Sequence, residues 1–218
     1  DAAHALADVL RHDGHELGVG DEGGFAPRLE RNDDVFPLLV RAVSTSGYRA
    51  GTDIVFGIDA AASEFAVSED HAYGLRAPAV RLSREQLLAL YVEWVKKYPL
   101  RSIEDPLHED DWEGWRTAVQ KLHGLGVQAV GDDLFATNTA RLERGIEERA
   151  ATAVIVKLNQ IGTLTEACEV VALAARHGLA TIISHRAGET ADSFIADFAV
   201  AVGAPYIKAG PPARAERL

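Results

Sequence analysis

The chain has 218 residues, of which 47% are hydrophobic and 25% are charged, and its formal net charge is −11. This composition is typical of one globular domain with a large buried core. The acidic balance argues against a surface for duplex nucleic acid and against a polybasic membrane anchor, because both need clustered positive charge. The single cysteine, Cys168, excludes an intramolecular disulfide and a zinc site built from several thiolates.

No apolar run approaches the roughly 18 residues of a membrane span, and no secretory signal opens the chain, so we expect a cytoplasmic protein. The chain begins with Asp1 rather than Met, just before a segment, residues 2–11, whose apolar spacing is helical. We therefore expect residues 1–218 to be one domain and a piece of a longer protein.

Short apolar runs rich in Val and Ile recur along the chain, and each is followed by charged or polar residues. The first residues after the seven runs include, in chain order, Glu22, Asp59, Glu104, Asp132, Lys157, His185 with Arg186, and Lys208. Because the runs show little polar alternation, they indicate strands covered on both faces, which is typical of a parallel sheet.

Between the apolar runs lie segments whose apolar residues recur at helical spacing, namely residues 35–43, 85–97, 112–122, 142–148 and 164–175. Ser83 and Gln86 match a capping box that would begin the second of these helices. Strand and helix therefore alternate at the spacing of βα units. Residues 64–81 interrupt the alternation, and we predict an inserted hairpin there.

Two parallel architectures fit this alternation, an open doubly wound sheet and a TIM-type (β/α)₈ barrel. Polar residues at the ends of many different strands favour the barrel, since its catalytic groups come from many strand ends on one face. The glycine cluster at residues 20, 23 and 24 does not match the phosphate loop common in open sheets. Because a barrel has eight strands and the sequence offers seven, we expect about one strand to lie before Asp1.

Three carboxylates, Asp59, Glu104 and Asp132, follow three consecutive strands, whose ends would meet at the mouth of a barrel. They would repel one another unless a hard cation neutralised them, and Mg²⁺ prefers oxygen ligands. Each one alone is more often a helix cap or a solvated loop residue, but three together near two lysines favour a metal site. The neighbouring Asp105 and Asp133 offer caps for the following helices instead.

Lys157 directly follows an apolar strand, and at a barrel mouth it would be partly desolvated and close to both the metal and Lys208. Both effects favour the neutral amine, so Lys157 is a candidate general base. Lys208 and Arg186 are candidate anion-binding residues, one a point charge and the other a planar fork. For His185, the residues alone leave open an acid, a substrate contact and a structural role.

Long motifs in this chain resemble those of the enolase family and follow the family's order. Residues 20–27 read GDEGGFAP, residues 102–106 read SIEDP and residues 131–135 read GDDLF. Further along lie KLNQIG at residues 157–162, SHR at 184–186 and GET at 188–190. The chain is similar to the barrel domain of a bacterial-type enolase (phosphopyruvate hydratase), without the N-terminal capping domain and the last helix.

The resemblance implies a Mg²⁺-dependent lyase that dehydrates 2-phosphoglycerate to phosphoenolpyruvate in glycolysis. Enolase-superfamily sites use a Lys or His base with one or two Mg²⁺ ions that stabilise an enolate. By similarity, the Mg²⁺ ligands would be Asp59, Glu104 and Asp132. Lys157 would remove the proton beside the substrate carboxylate, and Glu22 would be the general acid.

For the substrate-binding residues, the resemblance implies that Lys208 contacts the carboxylate, Arg186 the phosphate and His185 the substrate region. The partner is then a small phosphorylated carboxylic acid and no nucleic acid. The full-length form is expected to be a homodimer or a higher homo-oligomer. The isolated chain is expected to have little or no turnover, because the family's lid segments lie upstream of Asp1.

The chain departs from the family beside the predicted phosphate site. Ala187 and Ala215 stand where the family usually has serine, and Ala191 stands where it has an acidic residue. A lost hydrogen bond to a charged group costs about 1.5–3 kcal/mol, enough to change substrate preference without ending catalysis.

Two alternatives to the glycolytic enzyme therefore stay open. The first is an enolase paralogue that acts on a modified phosphoglycerate, such as a carboxyphosphonoenolpyruvate-forming enzyme of natural-product biosynthesis. The second, from a different class, is a non-catalytic binding or structural module. Retention of every predicted metal and lysine position argues against the second.

Overall fold

The structure is a computed structural model that describes residues 2–67, 71–188 and 190–212. Two residues singled out in the sequence, Glu189 of the GET motif and Ala215, lie outside the described residues. Within the described ranges, helices and strands alternate as the apolar spacing predicts.

The helices are α1 (Ala2–His12), α2 (Val35–Thr45), α3 (Arg84–Lys97), α4 (Trp112–His123), α5 (Thr139–Glu148), α6 (Leu158–Ile161), α7 (Leu164–Arg176) and α8 (Phe194–Ala201). The strands are β1 (Phe56–Asp59), β2 (Ala66–Val67), β3 (Ala72–Arg76), β4 (Ala79–Ser83), β5 (Leu100–Glu104), β6 (Gln128–Gly131), β7 (Ala153–Val156), β8 (Ala180–Ser184) and β9 (Tyr206–Lys208). Among the described residues, no helix is both long enough and apolar enough to cross a bilayer.

One parallel sheet organises the fold, with its strands in the order β1-β5-β6-β7-β8-β9. Every neighbouring pair in it is parallel. The sheet curls, and this brings Lys208 at the end of one edge strand to 2.7 Å from Asp59 at the end of the other. This is the architecture of a TIM-type barrel, of which the described residues form part of the circumference.

The first of the seven expected strands is absent from this sheet, so the prediction of a strand at Val19 was wrong. Val19 is exposed and makes an isolated antiparallel bridge with Phe25. The chain folds back on itself through Gly23, whose φ is 92°, and Gly20 N donates to Gly24 O at 2.8 Å. The parallel sheet of the described residues therefore has six strands.

The segment predicted to be an inserted hairpin forms a separate antiparallel sheet in the order β2-β3-β4. Tyr73 on β3 is fully buried, and its hydroxyl oxygen accepts a hydrogen bond from His108 N at 3.0 Å. The small sheet thus packs on the loop between β5 and α4. The strand β4 runs into α3 through the predicted capping box, in which Ser83 and Gln86 each accept a hydrogen bond from the other's backbone.

The core lies on both faces of the parallel sheet. A large apolar cluster fills the space between the strands and the helices. A smaller cluster of Val130, Ala153 and Ile155 lies apart from it. All four residues of β7 are buried, as expected for a strand covered on both faces. Central strands fixed in this way hold the polar residues that follow them in defined positions.

Candidate active site

The carboxyl ends of the parallel strands surround a polar cavity of ≈190 Å³. Its lining consists of Glu22, Asp59, Asp132, Lys157, Ser184, His185, Arg186, Ala187 and Lys208. Seven of the eight residues predicted from the sequence are in this lining. The eighth, Glu104, contacts the lining residue Lys208.

One contact in the cavity joins a lysine and an aspartate from neighbouring strand ends. Lys157 Nζ lies 2.6 Å from Asp132 Oδ2. The two residues follow β7 and β6, which are hydrogen-bonded neighbours. The second carboxylate oxygen, Asp132 Oδ1, is buried and has no hydrogen-bond partner among the described residues. A buried carboxylate oxygen without a partner is costly, so this atom is suited to a cation or a hydrogen-bond donor.

A second lysine joins the two edges of the sheet. Lys208 Nζ donates to Asp59 Oδ2 at 2.7 Å and to Glu104 Oε1 at 2.8 Å. Burial raises the pKa of Glu104, and the nearby charge of Asp59 raises it further, although Lys208 opposes both effects. Burial of Lys208 disfavours its charged form, but the two carboxylates outweigh burial and raise its pKa. Lys208 is therefore a firmly held cation at the mouth.

His185 faces Glu22 across the cavity. His185 Nδ1 lies 2.8 Å from Lys208 O, and since a carbonyl only accepts, this ring nitrogen carries a hydrogen. The other ring nitrogen, Nε2, is buried, lacks a hydrogen-bond partner among the described residues and lies 3.4 Å from Glu22 Oε2. A ligand hydroxyl group between Nε2 and the glutamate would give this buried nitrogen a hydrogen-bond partner.

Arg186 lies at the rim of the cavity, where Nη1 donates to Asn159 Oδ1 at 2.8 Å. Asn159 belongs to α6, so the guanidinium is held between the ends of β7 and β8. The next residue, Ala187, lines the cavity with a methyl group rather than a hydroxyl. The alanine that the sequence has in place of a serine beside the predicted phosphate site therefore lies at the cavity itself.

Among the described residues, one group of three carboxylates has oxygens within 4.8 Å of one another, and its members are Asp105, Asp132 and Asp133. Both oxygens of Asp105 are already occupied, because Oδ1 accepts from Asp132 N at 3.0 Å and Oδ2 from Asp133 N at 2.8 Å. Burial raises the pKa of Asp105 to about 7, although these backbone hydrogen bonds lower it. Asp105 therefore ties the end of β5 to the end of β6.

The prediction that Asp105 caps the following helix was wrong, because its two oxygens accept hydrogen bonds from the backbone of Asp132 and Asp133 instead. The N-cap of α4 is Asp111, whose side chain accepts from Gly114 N at 3.0 Å. Asp133 does not cap α5 either, because Asn138 Oδ1 accepts from Arg141 N at that helix start.

The predicted metal ligands fit a hard divalent cation by their chemistry. The set of Asp59, Glu104 and Asp132 offers carboxylate oxygens, the donors that Mg²⁺ prefers. Burial and the nearby charges of Asp59 and Asp132 raise the pKa of Glu104, because they destabilise its charged form. A divalent cation bound to these carboxylates would offset that destabilisation. In this structure the neutralising charges come instead from the lysine amines that contact these carboxylates.

A residue that the sequence analysis did not single out also contacts the site. Thr137 is fully buried, and its Oγ1 accepts a hydrogen bond from Lys157 N at 3.0 Å. No local signal in the sequence could have found it, because a threonine in a short loop is common and its partner lies 20 residues further along the chain.

The chain is similar over its whole length to a known domain family. The family described as "Enolase, C-terminal TIM barrel domain" matches residues 1–218. The chain is 47% identical over 215 residues to the protein named "Enolase" from Natranaerobius thermophilus (strain ATCC BAA-1301 / DSM 18059 / JW/NM-WN-LF). That match covers 99% of the chain and 50% of the relative, so the chain spans about half the length of the curated relative that it matches.

Proposed function

Because the chain belongs to the enolase family, we propose that it forms the catalytic barrel of a hydro-lyase of the enolase type. The observation that carries the proposal is the cavity at the strand ends, in which the Lys157–Asp132 pair lies with His185, Glu22 and Lys208. Such a cavity combines a lysine base, an acid and anion-binding groups, which proton abstraction beside a carboxylate and loss of water both require.

Asp59, Glu104 and Asp132 are the proposed ligands of Mg²⁺. When bound, Mg²⁺ would supply the positive charge that stabilises the extra negative charge on the substrate carboxylate. Asp132 Oδ1 has no hydrogen-bond partner within the described ranges, which supports the place of Asp132 in this set.

Lys157 is the proposed base. In its neutral form, the amine accepts the proton from C2, the carbon beside the substrate carboxylate, and the electron pair of the broken C–H bond gives an enolate. Its position beside Asp132 keeps the amine at a fixed point of the cavity. A positioned general base typically contributes a factor of about 10² to 10⁴ to the rate.

Glu22 is the proposed general acid. The electron pair of the enolate forms the new C2–C3 double bond, the C3–O bond breaks, and a proton from Glu22 converts the departing hydroxide to water. His185 Nε2, 3.4 Å from Glu22 Oε2, is placed to contact the substrate group that lies between them. Lys157 then releases the acquired proton to water and Glu22 takes one up from water, which restores both groups.

The substrate we propose is 2-phosphoglycerate, with phosphoenolpyruvate and water as products and a cytoplasmic, glycolytic role. Lys208 would bind the substrate carboxylate as a point charge, and Arg186 would bind the phosphate through its planar fork. Both side chains line the same cavity, and hydrogen bonds from Lys208 to Asp59 and from Arg186 to Asn159 hold them at its rim.

A second candidate substrate is a phosphoglycerate whose phosphate side carries an additional carboxylate. The observation that favours it is Ala187, which lines the cavity next to Arg186 and leaves space without offering a hydroxyl donor. The reaction would be the same dehydration. The two candidate substrates therefore differ in the group that contacts Arg186, while Lys157 is the base for both.

The test is a dehydration assay on the natural full-length protein with Mg²⁺ and, in separate samples, 2-phosphoglycerate and the carboxylated analogue. We expect turnover that is lost on chelation of the metal and lost in Lys157→Ala. Preference for the analogue would favour the second candidate. If the folded protein neither turns over either substrate nor exchanges the C2 proton of either with solvent, the chain is a non-catalytic module and the proposal fails.

A further inference from the structure

Two consecutive residues in the loop between β6 and α5 have a left-handed backbone, with φ values of 46° at Ala136 and 53° at Thr137. For a β-branched residue this conformation is an outlier that strains the backbone. Thr137 is also fully buried. Since glycine would make the same turn without strain, the threonine side chain must offset its cost through contacts of its own.

Those contacts form a closed ring of three hydrogen bonds. Lys157 N donates to Thr137 Oγ1 at 3.0 Å, and Thr137 Oγ1 donates to Gln160 Oε1 at 2.9 Å. Gln160 N donates in turn to Lys157 O at 3.0 Å. The first two bonds share the Thr137 hydroxyl, so each of them polarises the other in a buried place. The ring therefore fixes the backbone of Lys157, where β7 ends and α6 begins.

The loop that carries Thr137 is held by hydrogen bonds and packing of its own. Asp132 O accepts hydrogen bonds from Phe135 N at 3.1 Å and from Ala136 N at 2.8 Å. The ring of Phe135 is buried between two glycines, and a Cβ added at Gly131 would lie 2.6 Å from it. The same holds at Gly145, where an added Cβ would overlap the other side of the ring. Any larger residue at either position would displace the loop.

This one loop therefore holds Lys157 at both ends. Asp132, at its start, pairs with the amine, and Thr137, near its end, binds the backbone nitrogen. We propose that Thr137 is a positioning residue, which acts through Lys157 by fixing the point from which the lysine side chain enters the cavity. The inference rests on the proposed function, in which Lys157 is the base.

The experiment compares three variants of the natural full-length protein. Thr137→Val keeps the branched shape and removes the hydroxyl, and Thr137→Ser keeps the hydroxyl. The matched control is Thr152→Val, because Thr152 Oγ1 also makes two hydrogen bonds, with Ala129 N and O, at the opposite ends of the same strands. If Thr137→Val does not fold, Thr137→Ala takes its place in the comparison.

Two readouts are measured for each variant, namely kcat and KM for the dehydration and the hydrogen-exchange protection of the Lys157 backbone amide. Misplacing a reacting group by about 1 Å can cost about 100-fold in rate, so we expect kcat of Thr137→Val to fall by about 10- to 100-fold, with KM changed by less than about threefold. Amide protection at Lys157 should fall as well. Thr137→Ser should recover most of kcat, and Thr152→Val should keep kcat while losing stability.

The inference is overturned if Thr137→Val retains its kcat, or if Thr152→Val loses as much kcat as Thr137→Val does. Failure of the proposed function looks different, because the unmutated protein would then show neither turnover nor C2 exchange, or Lys157→Ala would keep the exchange. In that case a loss of amide protection in Thr137→Val would still support the anchoring of Lys157 by Thr137, and retained protection would overturn it.

Discussion

The cavity has two unequal sides. Asp132 and Lys157, which we call the central side, have side chains that are 10% and 16% exposed, whereas Asp59 and Glu22, the edge side, are 43% and 53% exposed. In the sheet of the described residues, β6 and β7 have hydrogen-bonded neighbours on both flanks and β1 on one flank, while Glu22 lies on a loop outside the sheet. A central strand fixes a side chain through its buried backbone, while an edge residue depends on its own ion pairs.

The largest effect is expected on the central side, from Lys157→Ala in the full-length protein. Loss of a positioned base should slow exchange of the substrate C2 proton by a factor of about 10² to 10⁴ or more. Mg²⁺ affinity should stay nearly unchanged, because an amine is a poor ligand for a cation that prefers oxygen. Exchange is followed by NMR in deuterated water, and Lys121→Ala on the exposed surface of α4 is the control. Exchange at a near-normal rate would remove Lys157 from the role of base.

The next effect concerns the stability of the central side. Asp105→Ala leaves two backbone amides, those of Asp132 and Asp133, without the acceptors that they have now. Leaving a buried donor unpaired costs about 1–3 kcal/mol, so unfolding in urea should show a loss of about 2–4 kcal/mol. The exposed Asp8, which pairs with Arg11, gives the control Asp8→Ala. A loss no larger than the control's would mean that Asp105 does not hold the two strand ends together.

Metal affinity should be more sensitive to the central side than to the edge. Asp132→Asn removes the charge of a nearly buried carboxylate. Interactions with a charged group contribute about 1.5–3 kcal/mol, so we expect Mg²⁺ to bind about 10- to 100-fold more weakly. Asp59→Asn, at the exposed edge, should weaken binding less. Titration calorimetry measures both. Equal losses would show that exposure does not decide the strength of these ligands.

Asp105 also predicts a dependence of stability on pH. Burial raises its pKa to about 7 in the folded protein, so the folded state holds this proton to a higher pH than the unfolded chain does. The contribution of Asp105 to stability is therefore greatest at low pH and falls as the pH rises from about 4 to about 7. Between pH 5 and pH 8, wild type should lose about 2 kcal/mol relative to Asp105→Asn. Parallel stability curves for the two proteins would contradict this.

The smallest effect on the free energy of unfolding is expected at the edge side. Glu22→Gln should change the free energy of unfolding by no more than about 0.5 kcal/mol, because an exposed carboxylate on a loop contributes little to stability. Turnover should nevertheless fall, since Glu22 is the proposed acid. Thermal unfolding and the dehydration rate, measured on the same sample, separate the two. A large loss of stability would show that the loop of Glu22 is fixed as firmly as the central side.

The sequence predicted the central side of the site more securely than its supporting residues. Asp132 and Lys157 directly follow buried apolar runs, and parallel strands bring such positions to one edge of the sheet. Asp105 follows a strand in the same way, but its hydrogen-bond partners lie 27 and 28 residues further along the chain. The helix-cap prediction assumed a hydrogen bond to a backbone amide a few residues away, whereas the observed partners of Asp105 are distant in the chain.

The wrong strand at Val19 has a related cause. A single apolar residue flanked by glycines gives a weak signal, since the segment has no row of branched side chains to pack in a sheet. The bridge from Val19 to Phe25 closes within seven residues, so the backbone finds its partner locally. The longer Val- and Ile-rich runs of β7 and β8 have no such local alternative, and both were predicted correctly.

The sequence by itself determined the alternation of strands and helices, the parallel sheet and the polar residues at its strand ends, because apolar periodicity and turn chemistry act over a few residues. The pairing of charges within the cavity was decided by the curl of the sheet. Lys208 and Asp59 are 149 positions apart in the chain and 2.7 Å apart in space. Electrostatic attraction depends on the distance in space, which no pattern along the chain records. The lack of a partner for Asp132 Oδ1 in the described part of the chain is likewise a result of the tertiary structure.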